Sequence, residues 1–579
     1  MSIMEVFMSD SIRIVTAPLN TQVKNIAGNI ALIKNAFLKA EQEDQADLVV
    51  TPELSITGYP LRDAVENPDV LDAAERGLND LVEFSKGHEA SLVVGLPFRR
   101  DGKIFNCSVV IQDGKIITRV EKRHRPNYGV FDEIRNFESG LYNSPFMLKG
   151  VKIGLLICED TWQEDVAKSL KEQDAEVLVS TNASPYETGK YRIRENDVVA
   201  KRVEETGLPM VYVNQVGGQD ELYFDGGAFA IEPHSEGQSL YRVATRFSEE
   251  GGRIDFSRDE DGRMAIDQQS YPLDKRKKSD TYAVDLHDDY TAIILAVRDY
   301  ANKTGMKQVC LGMSGGVDSA LVAAIAVDAL GAENVKLYSM PSIYTSDESN
   351  SLAYDEANRL GCSIESMPIQ GIVNEFQKAI SPMVANDIKR ITIENFQART
   401  RGTLLMGIAN NNPGMMVLST GNKSENAVGY ATLYGDMNGG YNPLKDVLKT
   451  RVFELCEWRN KAKPATAYGP EGEVIPMGII TRPPSAELFE DQKDSDSLPP
   501  YEILDDLIAR YAEDEQKLEC IARDMKQSLD FVKEWTRKID LAEYKRAQSC
   551  PGPKIRRRDF RSDRRYPIAA SSTATLSGF

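Results

Sequence analysis

The chain has 579 residues, 41% hydrophobic and 27% charged, a composition able to bury a large core. Its 88 acidic residues against 69 basic ones give a net charge of −19, whose field repels phosphate backbones and anionic bilayers, so neither nucleic acid nor membrane is expected as a partner. No apolar run approaches the roughly 18 residues needed to span a bilayer, and the N-terminal MSIMEVFMSDSIRIV lacks the basic and apolar regions of a secretory signal. Seven scattered cysteines, an odd number without paired spacing, fit a reducing cytoplasm better than a disulfide framework. The four histidines have no second His or Cys at metal-ligand spacing, so zinc is not expected and a catalytic base would be Glu, Asp or Lys.

In chain order, Ser11–Ala17 reads as a buried strand and Asn25–Gln42 as an amphipathic helix, with Ile26, Ile30, Ile33 and Phe37 near helical spacing. Short apolar runs at 47–51, 91–95, 108–111, 152–157, 177–180 and 210–213 predict further strands, several joined by helices, in an α/β sandwich. The polar, charge-dense stretch 248–278 reads as a connector, with a domain boundary near 275. A helix through Tyr290–Tyr300 and a strand at Gln308–Gly312 then resume the βαβ pattern. The Pro-rich, acidic stretch 482–500 reads as a long loop, of the kind that is often functional inside a compact domain.

The sharpest local signal is Gly312-Met-Ser-Gly-Gly-Val-Asp-Ser319, between that strand and the helix Ala320–Leu330. Adjacent glycines let backbone N–H groups converge on an anion, the helix N-terminus adds its dipole, and Ser314 and Ser319 add hydroxyl donors. There is no Gly-Lys-Ser/Thr ending, so this is not the common P-loop. It resembles the SGGxDS pyrophosphate loop of ATP pyrophosphatases, which cleave ATP between the α and β phosphates. A tight turn ahead of a core helix is the plain structural alternative.

The first half carries three segments in order: Thr51-Pro-Glu53-Leu-Ser-Ile-Thr-Gly-Tyr59, Glu121-Lys122-Arg-His-Arg-Pro-Asn-Tyr128 and Leu156-Ile-Cys158-Glu-Asp-Thr-Trp162. A thiolate nucleophile, a carboxylate to take its proton and an ammonium to face an oxyanion make a hydrolase without histidine. Singly, Glu53 reads as a solvated loop acid, Lys122 as part of a basic turn and Cys158 as a packed thiol. Together they resemble the nitrilase superfamily and its Glu-Lys-Cys triad. Asn182-Ala-Ser-Pro185, Gly189-Lys190 and the segment from Asn214 to Asp225 resemble the glutaminase form of that domain. The resemblance implies that Glu53, Lys122 and Cys158 are catalytic, that Glu133 supports Lys122, and that Tyr128, Ser184 and Lys190 hold glutamine. Arg125 and Asn136 depart from the family pattern, which has an apolar residue before the proline and an aromatic.

In the second half, Glu394-Asn-Phe-Gln-Ala-Arg-Thr-Arg401, Leu418-Ser-Thr-Gly-Asn-Lys-Ser-Glu425, Gly429–Asp436 and Lys545–Pro553 join the SGGVDS loop in resembling NAD synthetase domains. With the first half, nearly the whole chain, roughly residues 11 to 570, resembles the glutamine-dependent NAD synthetases. The implied architecture is an N-terminal nitrilase-like α-β-β-α sandwich at 11–275 and a C-terminal Rossmann-like parallel-sheet nucleotide hydrolase domain at 276–579. The resemblance implies ATP at Gly312, Met313, Ser314, Gly315, Gly316, Val317, Asp318, Ser319 and Thr420. It further implies deamido-NAD at Asn395, Glu425 and Lys545, and Mg2+ at Asp318 and Glu425. The implied reaction is a carbon–nitrogen ligation: ATP adenylates deamido-NAD, and ammonia from glutamine, sheltered from water, displaces AMP. The expected enzyme is a cytoplasmic homo-oligomer acting on small molecules. Another ATP-dependent amidotransferase, such as a GMP synthetase-like ligase, and a non-catalytic nucleotide-binding scaffold stay open at this point. The basic run Lys554–Arg565 is expected to pack near acidic surface rather than to bind nucleic acid.

Overall fold

The computed structural model describes residues 11–234, 237–267, 281–490 and 492–578. The chain divides into two compact units, Met1–Ser279 and Asp280–Phe579. The boundary expected near 275 lies outside the described residues.

In the first unit the strands are β1 (Ser11–Thr16), β2 (Leu48–Val50), β3 (Ser91–Arg100), β4 (Lys103–Gln112), β5 (Lys115–Glu121), β6 (Phe146–Leu148), β7 (Val151–Ile157) and β8 (Val177–Asn182). They continue with β9 (Met210–Asn214), β10 (Val216–Gln219), β11 (Leu222–Asp225), β12 (Phe229–His234), β13 (Gly237–Arg242), β14 (Gly252–Arg258) and β15 (Met264–Ile266). A seven-stranded sheet of order β15-β14-β1-β2-β3-β4-β5 faces a six-stranded sheet of order β13-β12-β9-β8-β7-β6, and β10 pairs with β11. Ile12, Ile14, Leu48, Val50 and Val93 meet Ile153, Leu155, Val177, Val179 and Val211 between the sheets. The alternate positions Val15, Val49, Leu92 and Val94 pack with residues of the helices Ile26–Asp44 and Pro68–Phe84. Leu156, Leu178 and Met210 do the same for the helices Glu164–Glu172 and Ala200–Thr206. Period-two alternation with apolar residues on both faces thus produces the four layers α-β-β-α.

The stretch expected as a connector carries two strands instead. Residues 252–258 pair antiparallel with β1, Ile14 standing opposite Ile254. Ile254 and Phe256 enter the inter-sheet core, while Asp255 accepts from Arg13 Nε at 2.8 Å. Alternation is present there, but the surrounding charges and glycines hide it from a count of apolar residues.

In the second unit β16 (Gln308–Gly312), β17 (Val335–Ser339), β18 (Ser363–Ser366) and β19 (Met415–Val417) form a parallel sheet of order β18-β17-β16-β19. The chain steps from β16 to β17 and β18 on one side, then returns to β19 on the other. The carboxyl ends of β16 and β19 therefore flank a topological switch point, where open α/β sheets bind ligands. The Gln397-Ala-Arg-Thr-Arg401 motif lies inside the helix Arg390–Asn411 rather than ahead of one.

The helix Val317–Leu330 is buried along nearly its whole length, and its far end is anchored by charge. Asp328 accepts from Arg459 Nε at 2.6 Å, Arg459 Nη2 at 3.0 Å and Tyr290 Oη at 2.6 Å, in full burial. The basic C-terminal run packs on acids, as expected: Arg556 pairs with Glu513, Lys554 with Asp563, and Arg564 with Asp540 and Glu543.

Asp328→Ala should lower the stability of the second unit by about 3–5 kcal/mol, because it strands the Arg459 charge in the interior. Urea unfolding followed by circular dichroism measures this, and a midpoint equal to the parent's would contradict it.

Candidate active sites

In the first unit Glu53 follows β2, Lys122 follows β5 and Cys158 follows β7. Lys122 Nζ donates to Glu53 Oε1 at 2.7 Å and to Glu133 Oε1 at 2.8 Å. Lys122 and Glu53 are each 1% exposed, so neither is the solvated loop residue that its local sequence permits. Asn106 Nδ2 also donates to Glu53 Oε1, at 2.7 Å, the Ala183 N–H donates to Glu53 Oε2 at 3.2 Å, and Tyr59 Oη donates to Glu133 Oε1 at 3.0 Å. Gly95 on β3 permits this close approach, since a Cβ there would stand 2.2 Å from the Leu54 nitrogen.

Burial alone would lower the pKa of Lys122, but Glu133 and Glu53 hold the ammonium well above its ordinary value. Burial raises Glu133, with Lys122 opposing and Glu53 adding to the rise. Burial also pushes the Cys158 thiol well up, and the Glu53 charge adds to it against Lys122. Cys158 thus lies within electrostatic reach of both. Its backbone has φ 48° and ψ −97°, a conformation that costs a side-chain-bearing residue energy and that clusters at functional turns. The Cys158 N–H donates to the Thr181 carbonyl at 2.9 Å, and the Thr161 N–H donates to the Cys158 carbonyl at 2.9 Å, which holds the turn.

Asp160, which sequence reasoning did not single out, joins the Lys122 and Cys158 segments. Its carboxylate accepts from the backbone N–H groups of His124 at 2.8 Å, Arg123 at 3.1 Å and Ile157 at 3.3 Å. Tyr59 and Asn106 also escaped notice; Tyr59 lies at the end of the Glu53 motif, while nothing in the sequence marks Asn106. Tyr128 is 55% exposed and donates to Glu159 Oε2 at 2.8 Å, beside Cys158 in sequence. Ser184 is buried in the loop after β8, and Lys190 opens the short helix Lys190–Ile193. Arg125 Nη1 donates to the Phe137 carbonyl at 2.6 Å and so closes the loop that carries Tyr128 and Glu133. Asn136 Nδ2 donates to Asp63 at 3.4 Å.

In the second unit a cavity of ≈ 260 Å³ opens at the switch point. Gly312, Met313, Ser314, Gly316, Val317, Asp318, Ser319, Thr420 and Glu425 line it. Gly315 shapes the loop from behind: its φ is +74°, and a Cβ would meet the Ser349 carbonyl oxygen at 2.3 Å. No side chain caps the helix at Gly316, which leaves its first N–H groups open to an anion. Asn395 and Lys545 are not in the wall. Asn395 Oδ1 accepts from Thr432 Oγ1 at 2.9 Å, and Lys545 Nζ donates to the carbonyls of Gly429 and Ala431, both at 2.7 Å. Both fasten the 429–435 loop, whose Tyr430 and Gly435 do line the cavity. The Pro-rich loop supplies Pro484, Ser485, Ala486, Glu487, Leu488 and Asp494 to the wall.

Sequence reasoning missed Lys449, for which no motif signals. It is buried and donates to Asp318 and, at 3.2 Å, to Glu425 Oε1. Asn422 Nδ2 donates to the other Asp318 oxygen at 2.8 Å. Burial raises the Glu425 pKa, Lys449 opposes this, and Asp318 and Asp494 add to it. The two carboxylates therefore already hold a cationic group between them, and an oxygen-seeking divalent cation suits the same pair. Among the described residues no group of three or more His, Cys, Asp or Glu is arranged to hold a metal ion. Two carboxylates suffice where phosphate oxygens and water complete the shell.

The carbon-nitrogen hydrolase family profile matches residues 12–239, and the NAD synthase profile matches residues 289–549. The chain is 42% identical over 565 residues to the glutamine-dependent NAD(+) synthetase of Rhodobacter capsulatus, covering 97% of this chain and 99% of that one. It belongs to the glutamine-dependent NAD(+) synthetase family. The Acinetobacter baylyi member of the family is 40% identical, with 96% of this chain and 98% of that one covered. The structure of the Acinetobacter baumannii glutamine-dependent NAD+ synthetase in complex with adenosine diphosphate matches with a TM-score of 0.74 at 37% identity, covering 97% of this chain and 99% of that one.

With its pKa raised, Cys158 is a neutral thiol at neutral pH, and its thiolate fraction grows as pH rises toward that pKa. Alkylation of Cys158 by iodoacetamide should climb about tenfold per pH unit and continue beyond pH ~9, because the thiolate is the nucleophile. Mass spectrometry of the Cys158 peptide gives the rate; a plateau near neutrality would show that Lys122 outweighs burial or that the proton passes to Glu53 during alkylation, and Glu53→Gln separates the two by removing only the second route.

Proposed function

We propose that the chain is a glutamine-hydrolysing NAD+ synthetase: it adenylates deamido-NAD with ATP and amidates it with ammonia released from glutamine. The observation that carries this reading is the buried Lys122 between Glu53 and Glu133 beside Cys158, in a chain that also holds an anion cradle flanked by Asp318 and Glu425.

In the first unit the Cys158 sulfur attacks the side-chain amide carbon of glutamine while Glu53 takes the thiol proton. Lys122 faces the oxyanion that develops on the amide oxygen, and Glu133 keeps its ammonium charged and placed. Glu53 returns the proton to the leaving nitrogen, ammonia departs, and a thioester remains on Cys158. Glu53 then takes a proton from the water that attacks the thioester and returns it to the departing Cys158 sulfur as glutamate is released. Tyr128, Ser184 and Lys190 hold the amino-acid end; Lys190 is a cation that suits the α-carboxylate.

In the second unit the loop Gly312–Ser319 cradles the ATP phosphates, with Thr420 in the same cavity wall. Asp318 and Glu425 would hold Mg2+, which supplies charge neutralisation on the polyphosphate when bound. The nicotinate carboxylate attacks the α-phosphorus and pyrophosphate leaves; ammonia then adds to the acyl carbon and AMP leaves. Asn395 and Lys545 act on deamido-NAD through the 429–435 loop they fasten. All seven cysteines are free, which supports the cytoplasm as the working compartment. No helix among the described residues is long and apolar enough to cross a membrane.

Analysis of products after mixing the chain with ATP, magnesium, deamido-NAD and glutamine tests the reading, and a different acceptor triggering pyrophosphate release would redirect it. Cys158→Ala should abolish glutamine-dependent synthesis and spare ammonia-dependent synthesis; equal loss of both would sink the division of labour. Asp318→Ala and Glu425→Ala should each reduce deamido-NAD-dependent exchange of pyrophosphate into ATP by on the order of a hundredfold or more, with no nitrogen source present. Parent-level exchange would remove those carboxylates from the site.

A further inference from the structure

Lys122 and Cys158 come from opposite sheets. Lys122 follows β5, the edge strand of the seven-stranded sheet, and Cys158 follows β7 of the six-stranded one. The apolar core between the sheets is non-directional, so it does not by itself set the distance between these two strand ends. Two polar links cross between the sheets elsewhere: the Ala183 N–H donates to Glu53, and the hydroxyls of Ser108 and Thr181 stand 3.1 Å apart. Neither involves the main chain beside Lys122.

Two aspartates just beyond Cys158 do reach that main chain. Asp160 is fully buried, and its Oδ1 accepts the N–H groups of Arg123 at 3.1 Å and His124 at 2.8 Å. Its Oδ2 accepts the N–H of Ile157, the last residue of β7, at 3.3 Å. One carboxylate thus holds both strand ends. Asp165, in the first turn of the helix Glu164–Glu172, takes the side chains of the same two residues. Its Oδ2 accepts from Arg123 Nε at 3.1 Å, and its Oδ1 stands 2.7 Å from His124 Nε2. The anchor is firm in its own sheet: the Thr161 hydroxyl is 2.6 Å from that of Ser180 on β8, and Arg202 Nη1 donates to the Trp162 carbonyl at 3.0 Å. Burial lifts the Asp160 pKa to about 6 against its N–H donors and Lys122, so it is ionised at neutral pH. An ionised carboxylate is a pure acceptor with lone pairs enough for three N–H groups, whereas an amide of the same shape offers one oxygen and two unwanted donors.

We propose that Asp160 and Asp165 are positioning residues for glutamine hydrolysis, a two-point clamp across the sheets that sets the Lys122 ammonium against the Cys158 sulfur. This rests on reading the first unit as a glutaminase. Charge and geometry predict opposite signs. Loss of a buried negative charge beside the site makes a developing oxyanion cheaper, so a field effect of Asp160 would speed thioester formation when removed; a clamp slows it.

The test is single-turnover hydrolysis of labelled glutamine by the full chain, held in excess and at saturation. This reads the rate constant of a competent site, which a loss of folded population leaves unchanged. Asp160→Asn should lower that constant by on the order of a hundredfold, as a displacement of about 1 Å does. Asp165→Asn alters a partly exposed carboxylate whose loss the fold withstands, and should lower it about fivefold. Ammonia-dependent synthesis should stay at the parent level in both. A rate constant in Asp160→Asn equal to or above the parent's overturns the clamp. If that variant does not fold, a parent rate constant in Asp165→Asn overturns it instead. A matching fall in ammonia-dependent synthesis also overturns it, because the damage would then not be local to the Lys122–Cys158 pair. A parent chain that does not hydrolyse glutamine at all overturns the glutaminase reading, and with it the ground of this proposal.

Discussion

The first site depends on one buried ammonium. Lys122 has two carboxylates within 2.8 Å and almost no exposure, so with both ionised the group of three carries one net negative charge in a low-dielectric interior, a cost that shows in the raised pKa of Glu133. Tyr59 and Asn106 each give it a hydrogen bond, which lowers the cost of that charge. Ionising Cys158 to bulk solvent would add a second negative charge, and its pKa is raised accordingly. Moving the proton from sulfur to Glu53 adds none. The charge count is the same before and after; only its position shifts, from carboxylate toward sulfur, with Lys122 beside both. Burial that opposes ionisation does not oppose this internal transfer. A neutral resting thiol and a working nucleophile are therefore compatible, and no histidine is needed.

The second site places a lysine between acids to a different end. Lys449 joins Asp318 and Glu425, but these stand on the wall of an open cavity. The carboxylates are kept together and close to the uncapped helix end that would hold phosphate. At the other end of the same helix, Asp328 is bound by Arg459 and Tyr290. One end is fixed by a satisfied internal ion pair, and the other is left with its N–H groups free. The phosphate loop is thus built on a rigid element, which suits a reaction governed by position and charge.

Much of this was legible in the sequence. Short apolar runs marked β1, β2, β3, β4, β7, β8, β9 and β16, and the motif residues Glu53, Lys122, Glu133 and Cys158 come together in space. What escaped notice has identifiable causes. The strands β14 and β15 sit among charges and glycines, so a count of apolar residues passes over them. Asn106 and Lys449 act through partners 53 and 131 residues away, and no local pattern marks them; Asp160 stands inside the Cys158 motif, but its partner Arg123, 37 residues away, is not visible there. Asn395 and Lys545 are recognisable by motif, yet they support a loop and do not face the cavity. A motif preserves a residue's identity without saying whether it acts directly or through its neighbours.

The overall charge of −19 disfavours polyanionic partners by its mean field, yet the proposed substrates include ATP and deamido-NAD, both anions. The two facts agree once distance is considered. At physiological ionic strength the charge of a distant surface is screened within about 8 Å, whereas groups lining a partly closed cavity are screened much less. Lys449, Arg401 and the open helix end lie in that cavity wall beside Asp318, Glu425, Asp436, Glu487 and Asp494, so an anion is favoured there by placed donors and not by the net charge of the wall. A long nucleic acid must cross the whole field; a single nucleotide meets only the local one. The mean field therefore weighs on an extended polyanion more than on a single nucleotide, for which the uncapped helix end, Lys449 and Arg401 are the groups that count.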